Sequence, residues 1–278
     1  MQNGGTGRRS GNPISLVYDA AMRLVAGLLS VILAGCAGNP PAADVAPGGT
    51  LRVGIGVGPV PSAFWATRDP ASGEPRGVTV DLARAMAKDL GVPLRLVAYA
   101  NSGEVTAAGP KGEWDVAFMP VDEVRARMVD FGPAYYLTES TYLVPAGSSI
   151  RTLADVDRPG VRVAGVEGTT TARAAQRSLK QNSVKTYRTA DELFESVRDG
   201  KADAIALGRE SLAGMQAKLP GSRILDGHFQ ATGTAVAVPK GRPAALAYVS
   251  SFVEKAKKDG TVRRALDAVG LKDSPVAP

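Results

Sequence analysis

The chain predicts an α/β fold of two lobes, each a mixed sheet flanked by helices, with a ligand cleft between them. Short apolar runs of strand length alternate with amphipathic helical segments from residue 51 onward. Two stretches also end alike. Gly112-x-x-Asp115 leads into Val116–Met119 and then Pro120, and Gly200-x-x-Asp203 leads into Ala204–Leu207 and then Gly208. Each has a helix-ending glycine, an aspartate and a four-residue apolar strand that opens onto a loop. In an open α/β sheet, ligands bind beyond such strand ends.

In order, Leu51 to Val57 alternates as a strand, and Gly58 to Gly77 is a long loop holding Phe64 and Trp65. Residues 79–90 form a helix with Leu82, Met86 and Leu90 on one face, closed by Gly91 and Pro93. Leu94 to Tyr99 is a strand, 101–112 a weak segment, and 115–119 a strand ended by Pro120, which lacks the N–H a ladder needs. Asp122 and Glu123 supply the cap and first-turn acid of a short helix. Residues 140–145 form a strand. The second passage gives strands at Val161–Val166, Val184–Arg188 and Ala204–Leu207, with helices at Thr169–Lys180 and Ala190–Asp199. Residues 234–239 return as a strand. A helix opening at Pro243 buries Leu246, Val249 and Val253, and a last one spans Thr261–Val269. The tail from Ser274 reads as unstructured.

Composition excludes several classes. Net charge is +6, and setting aside Arg8, Arg9, Arg23 and Asp19 leaves 30 basic and 26 acidic side chains, or +4, with no basic block. Nucleic acid is not an expected partner. One cysteine and one histidine make no His/Cys metal site, and no cofactor is expected. His228 lies in a loop-like stretch without a nucleophile elbow and reads as a surface residue.

Leu24 to Ala34 is an apolar run of 11 residues after Arg23, too short to span a membrane and suited to a signal peptide. It runs into Leu33-Ala34-Gly35-Cys36, which resembles the lipobox of bacterial lipoproteins and implies lipidation of Cys36. Residues 1–35 are thus a lipoprotein-type signal peptide, with Met22 an alternative start, and 36–49 a Pro/Ala/Gly-rich flexible tether. Ala37 after the cysteine, by analogy with Gram-negative lipoproteins, implies the outer membrane.

Arg125 follows the strand at 115–119 by a few residues, where a planar guanidinium fork fits a carboxylate. The spacing Arg125-x-x-x-Val129-Asp130-Phe131, then Pro133 and Tyr135-Tyr136, resembles the family 3, amino-acid-type solute-binding proteins of ABC transporters. So do Leu51-Arg52-Val53-Gly54, Gly77 to Leu82, Gly168-Thr169-Thr170 and Gly200 to Ala204, over roughly residues 50 to 272. The resemblance implies the type II periplasmic-binding-protein fold, with lobe 1 from 50–140 and 235–272, lobe 2 from 141–234, crossover strands at 140–145 and 234–239, and a disordered tail at 273–278. It implies an extracytoplasmic, lipid-anchored monomer that delivers a small carboxylate solute to a membrane permease. Arg125 would grip the carboxylate, met from the other lobe by Thr169 and Thr170, with Trp65 stacking and Phe118 nearby.

Two departures stand out. Phe118 and Pro120 occupy places where the family has hydroxyl residues, and Gly208 stands where it has the acid for the ligand's α-ammonium, with Arg209 next. Either another acid, Glu167, Glu139 or Glu210, takes that role, or the solute is an organic acid without an α-amine. The Gly208–Arg209 pair favours solutes of net negative charge over basic amino acids. Two other classes use the same fold: a cyclohexadienyl-dehydratase-like enzyme, with Glu167 or Glu210 as its acid, and an accessory lipoprotein with a degenerate site. A lytic transglycosylase would need a catalytic domain beyond the residues that follow 272.

Overall fold

The computed structural model describes residues 42–57, 64–69 and 71–278; the signal peptide, Cys36, Ala37 and the start of the tether lie outside these. Among them the strands are β1 (Leu51–Gly56), β2 (Thr67–Arg68), β3 (Pro75–Arg76), β4 (Leu94–Tyr99), β5 (Val116–Pro120), β6 (Val129–Val144), β7 (Val163–Val166), β8 (Val184–Tyr187), β9 (Ala204–Gly208), β10 (Arg223–Ile224) and β11 (Gln230–Pro239). The helices are α1 (Ala42–Val45), α2 (Val78–Leu90), α3 (Ser102–Ala108), α4 (Glu123–Ala126), α5 (Thr170–Ser178), α6 (Ala190–Arg198), α7 (Arg209–Gln216), α8 (Pro243–Lys258) and α9 (Thr261–Ala268).

One mixed sheet runs through both lobes in the order β4-β1-β5-β11-β6-β9-β7-β8, with β10 on β6. The β1/β4/β5 and β7/β8/β9 groups are parallel, and the antiparallel strands β6 and β11 join them. Each lobe packs helices on its sheet. In lobe 1, Val53, Ile55 and Phe118 pack with Met86 of α2 and Val249 and Phe252 of α8. In lobe 2 the two-residue period of β9 splits the core. Ile205 and Leu207 face Leu193 and Leu212, while Ala204 and Ala206 face Ala175 and Tyr142.

Three expectations need correction. The strand expected at 140–145 is the end of a 16-residue strand. Pro133 does not break it, because Phe131 pairs with Ala237 and Ala134 with Ala235, so three steps on β6 face two on β11. That is a bulge, where a missing N–H is tolerated. The tail is not unstructured: the Ala277 amide donates to the Tyr135 carbonyl at 3.1 Å and Val276 bridges Tyr136. The later part of the tether also packs, with Val45 fully buried and the Asp44 carbonyl accepting from Arg242.

Candidate functional site

The carboxyl ends of β5 and β9 face each other across the strands that join the lobes. A cavity of about 120 Å³ lies between, walled by Trp65, Phe118 and Pro120 of lobe 1 and by Thr169, Thr170 and Gly208 of lobe 2. Asn101, Ser102, Thr138, Ser211 and Met215 complete much of the wall. Trp65 is held there by its carbonyl, which accepts from Thr79 at 2.5 Å, while its neighbour Phe64 is core, against Tyr135 and Tyr136.

Asp122 caps α4 as the sequence implies, its Oδ1 accepting from the Arg125 amide at 2.8 Å. Arg125 itself is 1% exposed. One terminal nitrogen donates to the Pro120 carbonyl at 3.0 Å and the other to Ser102 Oγ at 2.7 Å, while Nε has no partner. Burial pushes its pKa down to about 9, with Arg173 adding to the fall and Asp122 opposing it, so it stays cationic at neutral pH. The guanidinium lies behind the Ser102 and Pro120 wall and contributes nothing directly to the cavity lining. It is a structural strut as well as a candidate ligand group.

From the other lobe, Thr169 caps α5 by accepting from the Ala172 amide at 3.1 Å. Thr170 donates to Asp122 Oδ2 at 2.5 Å, and Arg173 pairs with the same oxygen. Asn101 Nδ2 donates to the Arg188 carbonyl at 2.8 Å, and Arg188 pairs with Glu104 at 3.0 Å. The backbones meet at Gly103 and Gly168. A Cβ on Gly103 would stand 2.8 Å from Gly168 Cα, so only glycine lets the lobes approach this far. The lobes are closed on each other.

At the opposite end, Gly208 lines the cavity, and a Cβ there would lie 3.4 Å from Glu210 Oε2. Glu210 Oε1 accepts from the Tyr136 hydroxyl at 2.5 Å, and its enclosed Oε2 has no partner. Desolvation raises its pKa above 4.5, although the Tyr136 hydrogen bond opposes the shift. The sequence-derived candidates therefore separate. Arg209 points away, bound to Glu139 at 3.2 Å and to the Gly227 carbonyl at 2.6 Å. Glu139 also meets His228 at 3.3 Å. Glu167 is exposed on the rim of a depression beside Arg173. Arg209 takes no part in the cavity wall, and Glu210 is the acid that stands beside Gly208.

Sequence reasoning missed Asn101 and Ser102. Their signal was an Asn with Glu104 three residues on, after a strand: Asn101 accepts from the Glu104 amide and Glu104 from the Ala100 amide. Thr138, Ser211 and Met215 carried no comparable signal. Among the described residues no cluster of His, Cys, Asp and Glu suits a metal ion, and no helix is long and apolar enough to cross a membrane.

Two lobes joined by crossing strands and closed over a shared cavity define a two-lobed binding protein of the type II periplasmic fold. The model of the bacterial extracellular solute-binding proteins, family 3, matches residues 51–269, and the chain belongs to that family. It is 28% identical over 204 residues to the ABC transporter glutamine-binding protein of Bacillus subtilis (strain 168), covering 71% of this chain and 73% of the relative. The crystal structure of an ancestral amino-acid-binding protein described as a precursor of cyclohexadienyl dehydratase is 30% identical, with TM-score 0.71, over 81% of this chain and 97% of that one. An ancestral arginine-binding protein bound to glutamine is 29% identical, also with TM-score 0.71, over 80% of this chain and 98% of that one.

Proposed function

We propose that the chain captures a small carboxylate-bearing solute, an amino acid or a related organic acid, between its lobes and delivers it to the permease of an ABC transporter. One observation carries this reading: the cavity is bounded at one end by the Ser102–Pro120 wall backed by the Arg125 guanidinium, and at the other by Gly208, beside which the enclosed Glu210 carboxylate stands outside the wall. Opposite charges at the two ends fit a zwitterion, so Glu210 supports an amino acid over the organic acid that Gly208 alone suggested. The family and the relatives' binding names support capture over catalysis. Cys36 is read as the lipid attachment point that holds a monomeric receptor at the cell envelope, on the outer membrane where there is one. The proposed ligand contacts are Thr169, Thr170, Trp65, Phe118 and Gly208, with Arg125 acting through the Ser102 and Pro120 wall that it bonds; Arg209 and Glu167 are dropped from the set on their positions.

Native mass spectrometry of freshly purified protein, followed by a thermal-shift panel of neutral, acidic and basic amino acids and of mono- and dicarboxylic acids, tests the reading. A solute present at 100 times its dissociation constant adds about 2.7 kcal/mol, a shift of several degrees. A panel in which no compound raises the melting temperature, or turnover of prephenate or arogenate to an aromatic product, overturns it. For the anchor, Cys36→Ser should abolish incorporation of labelled fatty acid.

A further inference from the structure

The lobes close here on a carboxylate that belongs to the chain. Asp122 of lobe 1 uses both oxygens: Oδ1 accepts from the Arg125 amide at 2.8 Å, and Oδ2 accepts from Thr170 of lobe 2 at 2.5 Å and from Arg173. Arg173 also donates to the Gly168 carbonyl at 3.0 Å, and Arg125 reaches the same oxygen at 3.5 Å. A hydroxyl and a guanidinium of lobe 2 and a backbone amide of lobe 1 thus meet one acid, with the Arg125 guanidinium close by on the Gly168 carbonyl. Each of the two guanidiniums retains an Nε without a partner, and Arg125 is 1% exposed. This donor set suits an anion, and the anion in place is tethered.

We propose that Asp122 is a specificity-determining latch: it occupies the Thr170 and Arg173 donors of lobe 2, ties the lobes together across the cleft, and must be displaced by any solute that presents its own carboxylate there. The proposal rests on the solute-capture reading for its consequence on affinity, but the latch itself needs no solute. A carboxylate solute binds a state that is only fractionally populated, so its apparent affinity is reduced by that fraction. A solute that engages the Glu210 end and lacks a carboxylate meets no such competition. Asp122 therefore selects between ligands that differ in a single group.

The geometry also dictates which variants are informative. Asp122 caps α4, and serine is an equally good cap, so Asp122→Ser keeps the helix start while removing the charge and the reach to Thr170. Arg173→Gln breaks the latch from lobe 2, from a residue outside the wall of the cavity. The full chain is stripped of carried-over solute by unfolding and refolding. Small-angle scattering then compares the solute-free wild type with both variants, with circular dichroism as the check on folding.

The expected result is a compact wild type and a larger radius of gyration for both variants. Calorimetry with L-glutamine and L-arginine, and with the amides of both, completes the test. Asp122→Ser should shift the preference between free amino acid and amide about tenfold toward the free amino acid. Equal radii for wild type and both variants overturn the latch, as does an Asp122→Ser protein whose preference between acid and amide matches the wild type. If the radii differ as expected and no probe binds any of the proteins, the latch stands and the solute-capture reading falls. If the probes bind all three proteins alike and the radii coincide, the latch falls and the capture reading stands.

Discussion

The two lobes carry the same ion pair at the same place in the fold, in different surroundings. In lobe 1, Arg52 at the start of β1 donates through its amide, Nε and a terminal nitrogen to Asp115, at 2.9, 3.1 and 2.7 Å. In lobe 2, Arg162 before β7 makes the same three bonds to Asp203, at 2.9, 2.9 and 2.6 Å. Each aspartate amide donates back to its arginine's carbonyl. The motif is a staple between the starts of two parallel strands, built from the glycine-x-x-aspartate repeat. Yet the Asp115 side chain is 1% exposed and that of Asp203 is 35% exposed. Lobe 1 has an added layer: Arg242, ahead of α8, stands 3.8 Å from Asp115 and also bonds the Asp44 carbonyl. The same residues therefore specify the same geometry in both lobes, and burial decides how much stability depends on them.

Removing the acids separates geometry from burial. Asp115→Ala leaves two arginines facing an enclosed, unpaired site and should cost about 3–5 kcal/mol, read as a lower denaturant midpoint. The neighbouring glycines give the next largest effect. A methyl on Gly54 would lie 2.8 Å from the Trp114 ring, which Nε1 pins to the Val105 carbonyl, whereas one on Gly165 meets Ala172 Cβ at 3.1 Å. Gly54→Ala should cost about 1–3 kcal/mol, with Gly165→Ala below it; equal losses would mean that lobe 1 is no more tightly packed. Lobe 2 holds its own enclosed acid, Glu210, without a basic partner at hydrogen-bond distance. Because its folded pKa is raised, the folded state binds the extra proton, and stability falls as pH rises through that value. Glu210→Gln should thus melt slightly above wild type at pH 7, and the difference should vanish below about 4.5, the ordinary glutamate value. Asp203→Ala should change least, by under about 1 kcal/mol, since its pair is solvated. A loss matching that of Asp115→Ala would remove the distinction between the lobes.

Much of the fold was legible because its signals are local. Apolar runs such as Val116–Met119 and Ala204–Leu207 set strands, Gly91 and Asp122 set helix ends, and the repeated aspartates mark corresponding strand starts. The long strand β6 was not legible, because Gly132-Pro133 reads as a break until β6 is seen to bulge there against β11. The docked tail depends on backbone bonds to Tyr135 that Ala-Pro composition does not advertise. For the cavity, residues next to strand ends could be named: Trp65, Phe118, Thr169, Thr170 and Gly208 all line it. Burial of Arg125, the outward turn of Arg209, and the meeting of Asp122 with Thr170 could not be named. Each depends on a contact between segments 40 or more residues apart, such as the 48 that separate Asp122 from Thr170.

The strands that join the lobes have a mechanical consequence. β6 and β11 pass from one lobe to the other side by side, hydrogen-bonded from Val129–Pro239 to Ser140–Gln230, with register shifts around Ala235. The lobes are therefore linked by a flat two-ply spring in place of a loose joint. Opening must bend both plies together about the irregular stretch near Pro133 and Ala235, where the ladder is already interrupted and curvature is least resisted. Such a flexure stores elastic energy when the mouth is forced either way.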